Sequence, residues 1–415
     1  EARGKPPVVF VPAFRGEAIA ESHPHCAAAL REEVLSGLAR FREIQLIADN
    51  RPDDGAATGE RRSDRDYQLT ATLLPDGEGV KVIARAKHLA DGRIVWADTM
   101  ALADTGAAKG VETIVRRIIG AALPAVDEDI LESLPVEPDD FYDRYLIAKR
   151  RSLTAKDHAE ARAAAAALEA LIAERPNFGL AYPPLVRLYN TDFFFTGLGS
   201  TGPSERARAL ALAKAGLAAD RRNVHAHTVL GFCHLWHDER DLARPCFDQA
   251  LAMNPYNPAR INEVASGMIY LGELGEARAL LAMSAQLQAW PDDSYYEDHC
   301  LLSLLDDAPQ EALGFARRMS EPRFWSRFYV ALAEGLADPS GPRAALRSWV
   351  AMVEARWLGD RPPARDGLEG WIAFHTPLAP DLKQRFLALA RRELDAIGQG
   401  DDPPEARSRS RSRAR

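Results

Sequence analysis

Cysteine is scarce in this sequence, and several other familiar signals are missing from it. Its 415 residues contain four cysteines, too few and too scattered for a disulfide framework, and we interpret all of them as buried free thiols (Cys26, Cys233, Cys246 and Cys300). No stretch approaches the roughly 18 uninterrupted apolar residues that a membrane span requires. The net charge of −8 is mild and includes no basic stripe, which argues against direct binding of nucleic acid.

Signatures of catalysis are missing as well. The sequence has no glycine-rich phosphate loop, no G-x-S-x-G elbow and no His-Glu-x-x-His pair. Two groups of potential metal ligands stand out, one at residues 23–26 and a larger one further along the chain (His225, His227, Cys233, His234, His237 and Cys246). We interpret both as ordinary core or surface side chains, because His234 takes a packing position in the repeat described below. We therefore expect a non-enzymatic protein without a metal or a cofactor.

The two ends of the chain differ from its body. The sequence opens at Glu1 with no initiator methionine and no signal peptide, so we expect a processed segment, a membrane anchor or a further domain upstream. Residues 399–415 are charged, with alternating serine and arginine, and are predicted to form a disordered tail. We expect a cytoplasmic location, or a periplasmic one if the upstream part is an anchor.

The first 128 residues carry both strand and helix signals. Short apolar runs predict strands, three- and four-residue apolar spacing predicts helices, and Asp-Gly pairs predict the turns of an antiparallel meander. The expected elements are a strand at 8–11, a helix at 27–41, a strand at 44–47, a polar loop at 49–66, strands at 67–73, 80–86 and 94–96, and a helix at 107–123. Together they predict a small α/β domain, a mixed sheet covered by two helices.

Beyond residue 139 the strand signals vanish and helix pairs repeat. The clearest unit, Val224 to Pro255, carries small residues and one aromatic at the spacing of the tetratricopeptide pattern (Gly231, Ala243, Phe247, Ala250 and Pro255). In that pattern a small residue on each helix lets the pair approach closely, and the aromatic fills the remaining gap. A shift of about 34 residues from Ala243 reaches Ala277, inside an inter-helix turn sequence, which indicates a second good repeat.

These patterns predict an α+β protein, with the α/β domain followed by an all-α, tetratricopeptide-like, right-handed solenoid. The predicted divisions are 1–128 for the α/β domain, 129–138 for a linker, 139–292 for the repeats, and 293–398 for degenerate helical repeats with a capping helix.

Repeat geometry indicates where a partner would bind. The first helix of each pair lines the inner groove of such a solenoid, and aromatic and amide side chains there suit an extended or helical peptide. The groove positions predicted in the two clear repeats are His225, Thr228, Phe232, Trp236, Asn262, Ser266 and Tyr270. A purely structural role for Phe232 and Trp236 stays open at this point.

Three consecutive aromatics, Phe193, Phe194 and Phe195, lie in an insertion between repeats. Three neighbouring side chains cannot all face one core, so at least one is predicted to contact a partner or a domain boundary.

Several strings in the N-terminal part match one known domain in order: the run Pro7 to Phe14, residues 35–41 and 45–48, and Asp91 to Asp98. They are similar to the first strand, the next helix and strand, and the "tGehlWadr" string of the TolB-like amino-terminal domain, which this part of the chain therefore resembles. In many bacterial regulators this domain precedes tetratricopeptide repeats, as in winged-helix transcription activators and class III adenylate cyclases. The resemblance implies a sensory or regulatory half, with an output domain expected before it.

Two functions therefore remain in view. The first is a regulatory scaffold, the sensory half of a bacterial signalling or transcription system, which binds a protein or peptide in the repeat groove. The alternative is a small-ligand sensor with a pocket between the α/β domain and the helical repeats.

Overall fold

The computed structural model describes residues 5–48, 64–102, 108–287, 291–359 and 361–399. In these ranges the chain forms a small mixed sheet with helices, followed by a tetratricopeptide-like helical solenoid, which confirms the predicted fold class. The predicted polar loop at 49–66 and the predicted tail at 399–415 lie almost wholly outside the described residues.

The sheet has five strands in the order β2-β1-β3-β4-β5. The strands are β1 Val8–Phe10, β2 Gln45–Ile47, β3 Asp66–Asp76, β4 Gly79–His88 and β5 Ile94–Leu102. Strand β1 pairs parallel with β2 and β3, whereas β3, β4 and β5 form an antiparallel meander. Gly77 and Gly92 have φ of 61° and 78°, so both predicted turns use a conformation that glycine adopts without strain.

Two helices, α1 (Cys26–Leu38) and α2 (Ala108–Ser133), pack on the sheet. Their apolar stripes, including Val34 and Ile118, are fully buried against alternate residues of β3 and β4. The sequence predicts that the second helix ends before Pro124, but α2 continues for ten further residues, from Pro124 to Ser133. A proline removes a single backbone hydrogen bond here, and the following turns are held because Val126 and Ile130 are buried.

The remaining helices follow as a series of packed pairs. They are α3 Phe141–Thr154, α4 His158–Glu174, α5 Tyr182–Arg187, α6 Phe193–Thr196, α7 Pro203–Ala219, α8 Val224–Trp236, α9 Arg240–Met253, α10 Pro258–Leu271, α11 Leu274–Leu287, α12 Asp293–Leu305, α13 Pro309–Ala316, α14 Phe324–Ala337, α15 Ala344–Arg356, α16 Arg365–His375 and α17 Pro380–Gln399. Several begin at side chains that cap the free backbone N–H groups, such as Asp140, Asn223 and Asn257. Helix α16 was not predicted from the sequence, because its glycines at 367 and 370 weaken the helical pattern.

The strong repeat shows the packing that its sequence pattern predicts. Phe247 of α9 is fully buried, and its ring lies between Gly231 of α8 and Gly267 of α10. A Cβ atom at either glycine would lie only 2.7 Å or 2.6 Å from the ring. The two glycines therefore allow three helices to close around one aromatic side chain.

Candidate functional site

The first helices of successive pairs, α8, α10, α12 and α14, lie side by side and form what we call the inner face. Polar side chains connect each helix to the next. The Thr228 hydroxyl donates to Glu263 at 3.0 Å, the Ser266 hydroxyl donates to Asp298, and the backbone N–H of Ser326 donates to Glu297 at 3.0 Å. This row of hydrogen bonds sets the spacing of the helices that form the inner face.

The seven predicted groove residues lie together on α8 and α10, with different exposure. Thr228 and Asn262 are buried, at 0% and 4% exposed, whereas the other five are half-buried. Among these five, three aromatic rings form one cluster, with 6.1 Å between the Phe232 and Trp236 centroids and 5.7 Å between those of Trp236 and Tyr270. Their assignment as binding residues remains a prediction.

The inner face is acidic at its centre. Burial raises the pKa of the Asp298 carboxyl well above its usual range, although the Ser266 hydroxyl acts in the opposite direction. Burial also raises the pKa of the neighbouring Glu297. Ionised carboxylates at these positions are therefore costly for the folded state, and a cationic partner would stabilise them.

We expect the Asp298→Asn variant to be more stable than the wild type at pH 8 and equal to it near pH 4. Because the carboxyl pKa is raised in the folded state above its unfolded value, stability is lost as the pH rises through the folded pKa. Asparagine keeps an acceptor for Ser266 without a charge. The gain at pH 8 should be on the order of 1 kcal/mol, measured by thermal unfolding across this pH range. Exposed Asp241→Asn is the matched control, and an equal gain there would contradict the assignment.

The C-terminal part of the chain returns to the inner face. A buried, non-helical stretch at 376–378 passes the start of α9, where the Arg240 guanidinium donates to the carbonyls of Pro377 at 3.1 Å and Leu378 at 2.7 Å. Just before it, Arg206 of α7 donates to the Phe374 carbonyl at 2.7 Å and stacks over the Trp236 ring at 5.3 Å. Two arginines thus hold the end of α16 and the segment that follows it beside the aromatic cluster.

Helix α17 then runs across the C-terminal ends of the inner-face helices. Ala379, just before α17, lies against Gly272 after α10, and Arg385 donates to the Leu305 carbonyl at the end of α12 at 2.9 Å. Phe386 is buried between residues of α14, with its ring 6.0 Å from that of Tyr329. Its buried positions follow helical spacing, as expected for an amphipathic helix on an apolar surface (Phe386, Ala390, Glu393 and Leu394).

The aromatic insertion is only partly described. Phe193 is fully buried, packs edge-to-face on Tyr189 at 5.0 Å and lies beneath the Arg162 guanidinium. The side chains of Phe194 and Phe195 lie outside the described residues, so a partner contact there remains a prediction.

A cavity of about 440 Å³ lies between the α/β domain and the helices. Its walls come from the loop at 40–44 after α1, from α2, α3 and α5, and from the N-terminal ends of α8 and α10. Contacts around it join the two parts of the chain: Tyr142 donates to the Glu43 carbonyl at 3.0 Å, Arg42 pairs with Asp220 at 3.0 Å, and Arg40 donates to the Met253 carbonyl at 2.8 Å. The cavity is therefore built by the interface between the two domains.

His225 connects the predicted groove to this cavity. It lines the cavity at the first turn of α8, and its Nε2 atom makes no hydrogen bond, with a Glu263 carboxylate oxygen 3.7 Å away. Burial, followed by the nearby cations Arg260, Arg187 and Lys149, lowers the pKa of His225 well below its usual range. Sequence analysis did not single out these three cations, because ordinary charged residues in helices carry no signal of where they converge.

The other histidines and cysteines do not gather into a metal site. Within the described part of the chain, no group of three or more His, Cys, Asp or Glu side chains could hold a metal ion. His234 instead pairs with Glu239 at 2.6 Å, and Cys233 is buried. None of the described helices is long and apolar enough to cross a membrane.

Comparison with known proteins does not assign this chain to a family. No protein-family model matches this chain, and no curated protein matches it. One solved structure similar to it is described as YrrB, a TPR protein with an unusual peptide-binding site. The similarity has 15% sequence identity and a TM-score of 0.28, and it covers 55% of this chain and 97% of that chain. A similarity this weak carries no argument about function, so the tetratricopeptide-like character of the helices rests on their own packing.

Proposed function

We propose that this chain is a protein-binding repeat scaffold whose inner face receives an amphipathic helix of a partner protein. One observation carries the proposal: helix α17 of this chain already lies across the C-terminal ends of the inner-face helices, where its Phe386 ring is buried. Arg385 of α17 donates to the Leu305 carbonyl, and Arg240 of α9 donates to the Leu378 carbonyl just before α17. An aromatic anchor, one arginine and backbone carbonyls in a segment before the helix can be supplied by many sequences, so the same contacts can be made by a helix from another protein. The acidic centre of the inner face favours a partner helix with basic residues.

The chain's own helix α17 competes with a partner helix for the same surface. Because α17 is tethered, its effective concentration at the inner face is on the order of millimolar, and a partner must compete with it. Binding is therefore expected to require either a tighter helix or loosening of α17.

This competition can be measured with a labelled peptide of residues 374–399. We expect it to bind the Phe386→Ala protein about tenfold or more tightly than the wild type, because loss of the anchor frees the inner face. Fluorescence anisotropy measures the affinity. The control is Gln384→Ala, an exposed position on α17 that should leave the wild-type affinity unchanged.

Two further substitutions test whether the peptide binds at the inner face. Adding Trp236→Ala or Tyr270→Ala to the Phe386→Ala protein should weaken binding of the peptide. Arg206, which donates to the Phe374 carbonyl, stacks over the Trp236 ring, and the Tyr270 ring packs on Trp236. Equal affinity of the peptide for the wild type and Phe386→Ala, or no effect of both ring deletions, would count against the inner face as a helix-binding site.

We further propose that this scaffold is the regulatory half of a bacterial signalling or transcription system, with a TolB-like N-terminal domain. The support is the sequence resemblance between residues 7 and 98 and that family. Sequencing the gene upstream of the Glu1 codon tests this context. A winged-helix or cyclase domain in the same reading frame is the expected result, and an unrelated domain there would overturn it.

A second candidate function, a small-ligand sensor, is favoured by one specific observation, the interdomain cavity. Its volume of about 440 Å³ is in the range of small-molecule sites. A ligand there would touch both domains and would couple its occupancy to their relative position.

A further inference from the structure

Arg206 of α7 is a buried cation, and its hydrogen-bond partners in the structure are neutral. The residue is 3% exposed, and it forms no ion pair with any side chain that the structure describes. Its guanidinium donates to the Phe374 carbonyl at 2.7 Å and to the His375 Nδ1 atom at 2.9 Å, whereas Arg206 Nε has no hydrogen-bond partner in the same part of the chain. Burial lowers the pKa of Arg206 to about 9, as expected for a charge that lacks a counter-ion.

A buried guanidinium of this kind is costly for the folded state. Proteins usually match it with a carboxylate, because the two oxygens of a carboxylate accept from the guanidinium fork and offset the loss of hydration. The rings of Trp236 and Phe374 flank the Arg206 guanidinium at 5.3 Å and 4.2 Å, and such cation–π contacts offset only part of that loss. The C-terminal segment is therefore held by an arginine that could bind an acidic segment more strongly.

The charged and titratable groups near Arg206 in the described part of the chain do not supply a counter-ion. Asp238 lies in this region, but it is 81% exposed and pairs with Arg240 at 3.1 Å. Cys233 lies near Arg206 as well, but burial raises the pKa of its thiol, which therefore stays neutral. Lys383 of α17 adds a positive charge; burial lowers its pKa, and Arg240 and Arg206 act in the same direction. This end of the inner face thus favours an anion.

His375 marks the place where a carboxylate would meet Arg206. It is 4% exposed at the end of α16, and its Nδ1 atom must accept the hydrogen bond, because a guanidinium only donates. Burial, followed by the charge of Arg206, lowers the pKa of His375 well below its usual range, so the ring is neutral. An aspartate Oδ atom is the same number of bonds from Cα as a histidine Nδ1 atom. An aspartate at this position would therefore place a carboxylate oxygen against the guanidinium.

We propose that Arg206 binds a carboxylate of the partner protein, carried by an aspartate or glutamate just before the partner's helix, at the place that His375 occupies in this chain. This inference rests on the proposed function, because it assumes that the inner face receives a partner helix in place of α17. A partner with this acidic residue would gain a charge-assisted bond that the chain's own segment lacks. The gain would help the partner to displace a tethered competitor.

A matched pair of labelled peptides tests the charge requirement. Both cover residues 374–399 and are acetylated at the N-terminus; one carries His375→Asp and the other His375→Asn. Aspartate and asparagine have the same shape and differ in charge, so both can accept from Arg206. By fluorescence anisotropy at pH 7, the His375→Asp peptide should bind the Phe386→Ala protein about tenfold more tightly than the His375→Asn peptide.

Substitutions in the protein identify the arginine. Adding Arg206→Gln to the Phe386→Ala protein should abolish the preference for the acidic peptide, since the glutamine carries no charge. The matched control is Arg208→Gln on the same helix, because Arg208 is 53% exposed and pairs with Glu169. This control should keep the preference of about tenfold.

The full chain provides a second measurement that does not depend on Arg206→Gln being folded. His375→Asp and His375→Asn are each introduced into the otherwise unchanged protein, and hydrogen exchange of α17 is compared at pH 7. The aspartate holds the segment through Arg206, so α17 should exchange about tenfold more slowly in His375→Asp than in His375→Asn. Equal or faster exchange in His375→Asp would contradict the carboxylate site.

The peptide results separate this inference from the proposed function. Equal affinity of the two peptides would overturn the carboxylate site and leave the inner face as a helix-binding surface. Failure of both peptides to bind the Phe386→Ala protein would overturn the helix-binding surface together with the carboxylate site. A preference for the acidic peptide that persists in a folded Arg206→Gln protein would show that Arg206 is not the residue that binds the carboxylate.

Discussion

Replacing Phe247 with alanine is expected to lower the free energy of unfolding by about 3–5 kcal/mol, one of the largest effects of any single substitution in this chain. The ring is fully buried, lies between Gly231 and Gly267, and packs edge-to-face on Phe232 at 5.2 Å. Its removal leaves a cavity whose walls are two glycines, which have no side chains that could move in to fill it. The loss of transfer free energy and the cost of the cavity therefore add.

The Phe247→Ala substitution should change the shape of the unfolding transition as well as its midpoint. Repeat arrays are stabilised by contacts between neighbouring repeats, so a defect between α8, α9 and α10 should uncouple the helices on either side. Urea unfolding followed by circular dichroism is expected to split into two steps. Leu242→Ala is the matched control on the same helix, because Leu242 is 53% exposed and its loss should cost less than about 0.5 kcal/mol. Similar costs for the two variants would contradict the role assigned to Phe247.

Glu393→Ala is expected to have an effect of similar size, about 3–5 kcal/mol, since it breaks a buried ion pair from one side. The Glu393 side chain is 0% exposed and contacts Arg343 Nε at 2.5 Å and Arg392 Nη2 at 2.7 Å. It lies directly against Gly335 of α14, where a Cβ atom would collide with the carboxylate. Without this carboxylate the Arg343 guanidinium stays buried with less compensation, and α17 loses its attachment to the end of α14.

A neighbouring pair provides the comparison. Arg391 and Glu369 join α17 to α16, but their side chains are 62% and 27% exposed, so Glu369→Ala should cost less than about 1 kcal/mol. Thermal unfolding measures the stability, and hydrogen exchange of α17 measures its release from the inner face. An α17 that exchanges as slowly in Glu393→Ala as in the wild type would rule out this attachment.

Sequence reasoning located the elements of the inner face but not their partners. The spacing of Gly231, Ala243 and Phe247 defines a helix pair by local geometry, so α8 and α9 were predictable. The same repeat spacing places Thr228 and Asn262 at groove positions. Both are nevertheless buried, because neighbouring inner-face helices cover them. Periodicity identifies one face of a helix, whereas the depth of a side chain on that face depends on the next repeat.

The contacts of the C-terminal segment are another example of packing that sequence patterns do not predict, here between residues far apart in the chain. The pattern in 381–397 predicts a capping helix, and α17 is helical there, but it lies across earlier repeats. Arg206 and Arg240 donate to carbonyls more than 130 residues further along the chain, at separations of 168 and 137. Backbone carbonyls carry no sequence signature, so these contacts were not predictable.

The amino-acid sequence by itself determined the class of each part of this protein. Alternating apolar residues with Asp-Gly turns specify the meander, and small residues at repeat spacing specify the helix pairs, since both depend on contacts within a few tens of residues. Only the tertiary structure decided where α17 lies and that Arg187, Arg260 and Lys149 converge beside His225 in one cavity. Those arrangements arise where separate elements meet, and charges that are unremarkable on isolated helices acquire their chemistry only when folding brings them together.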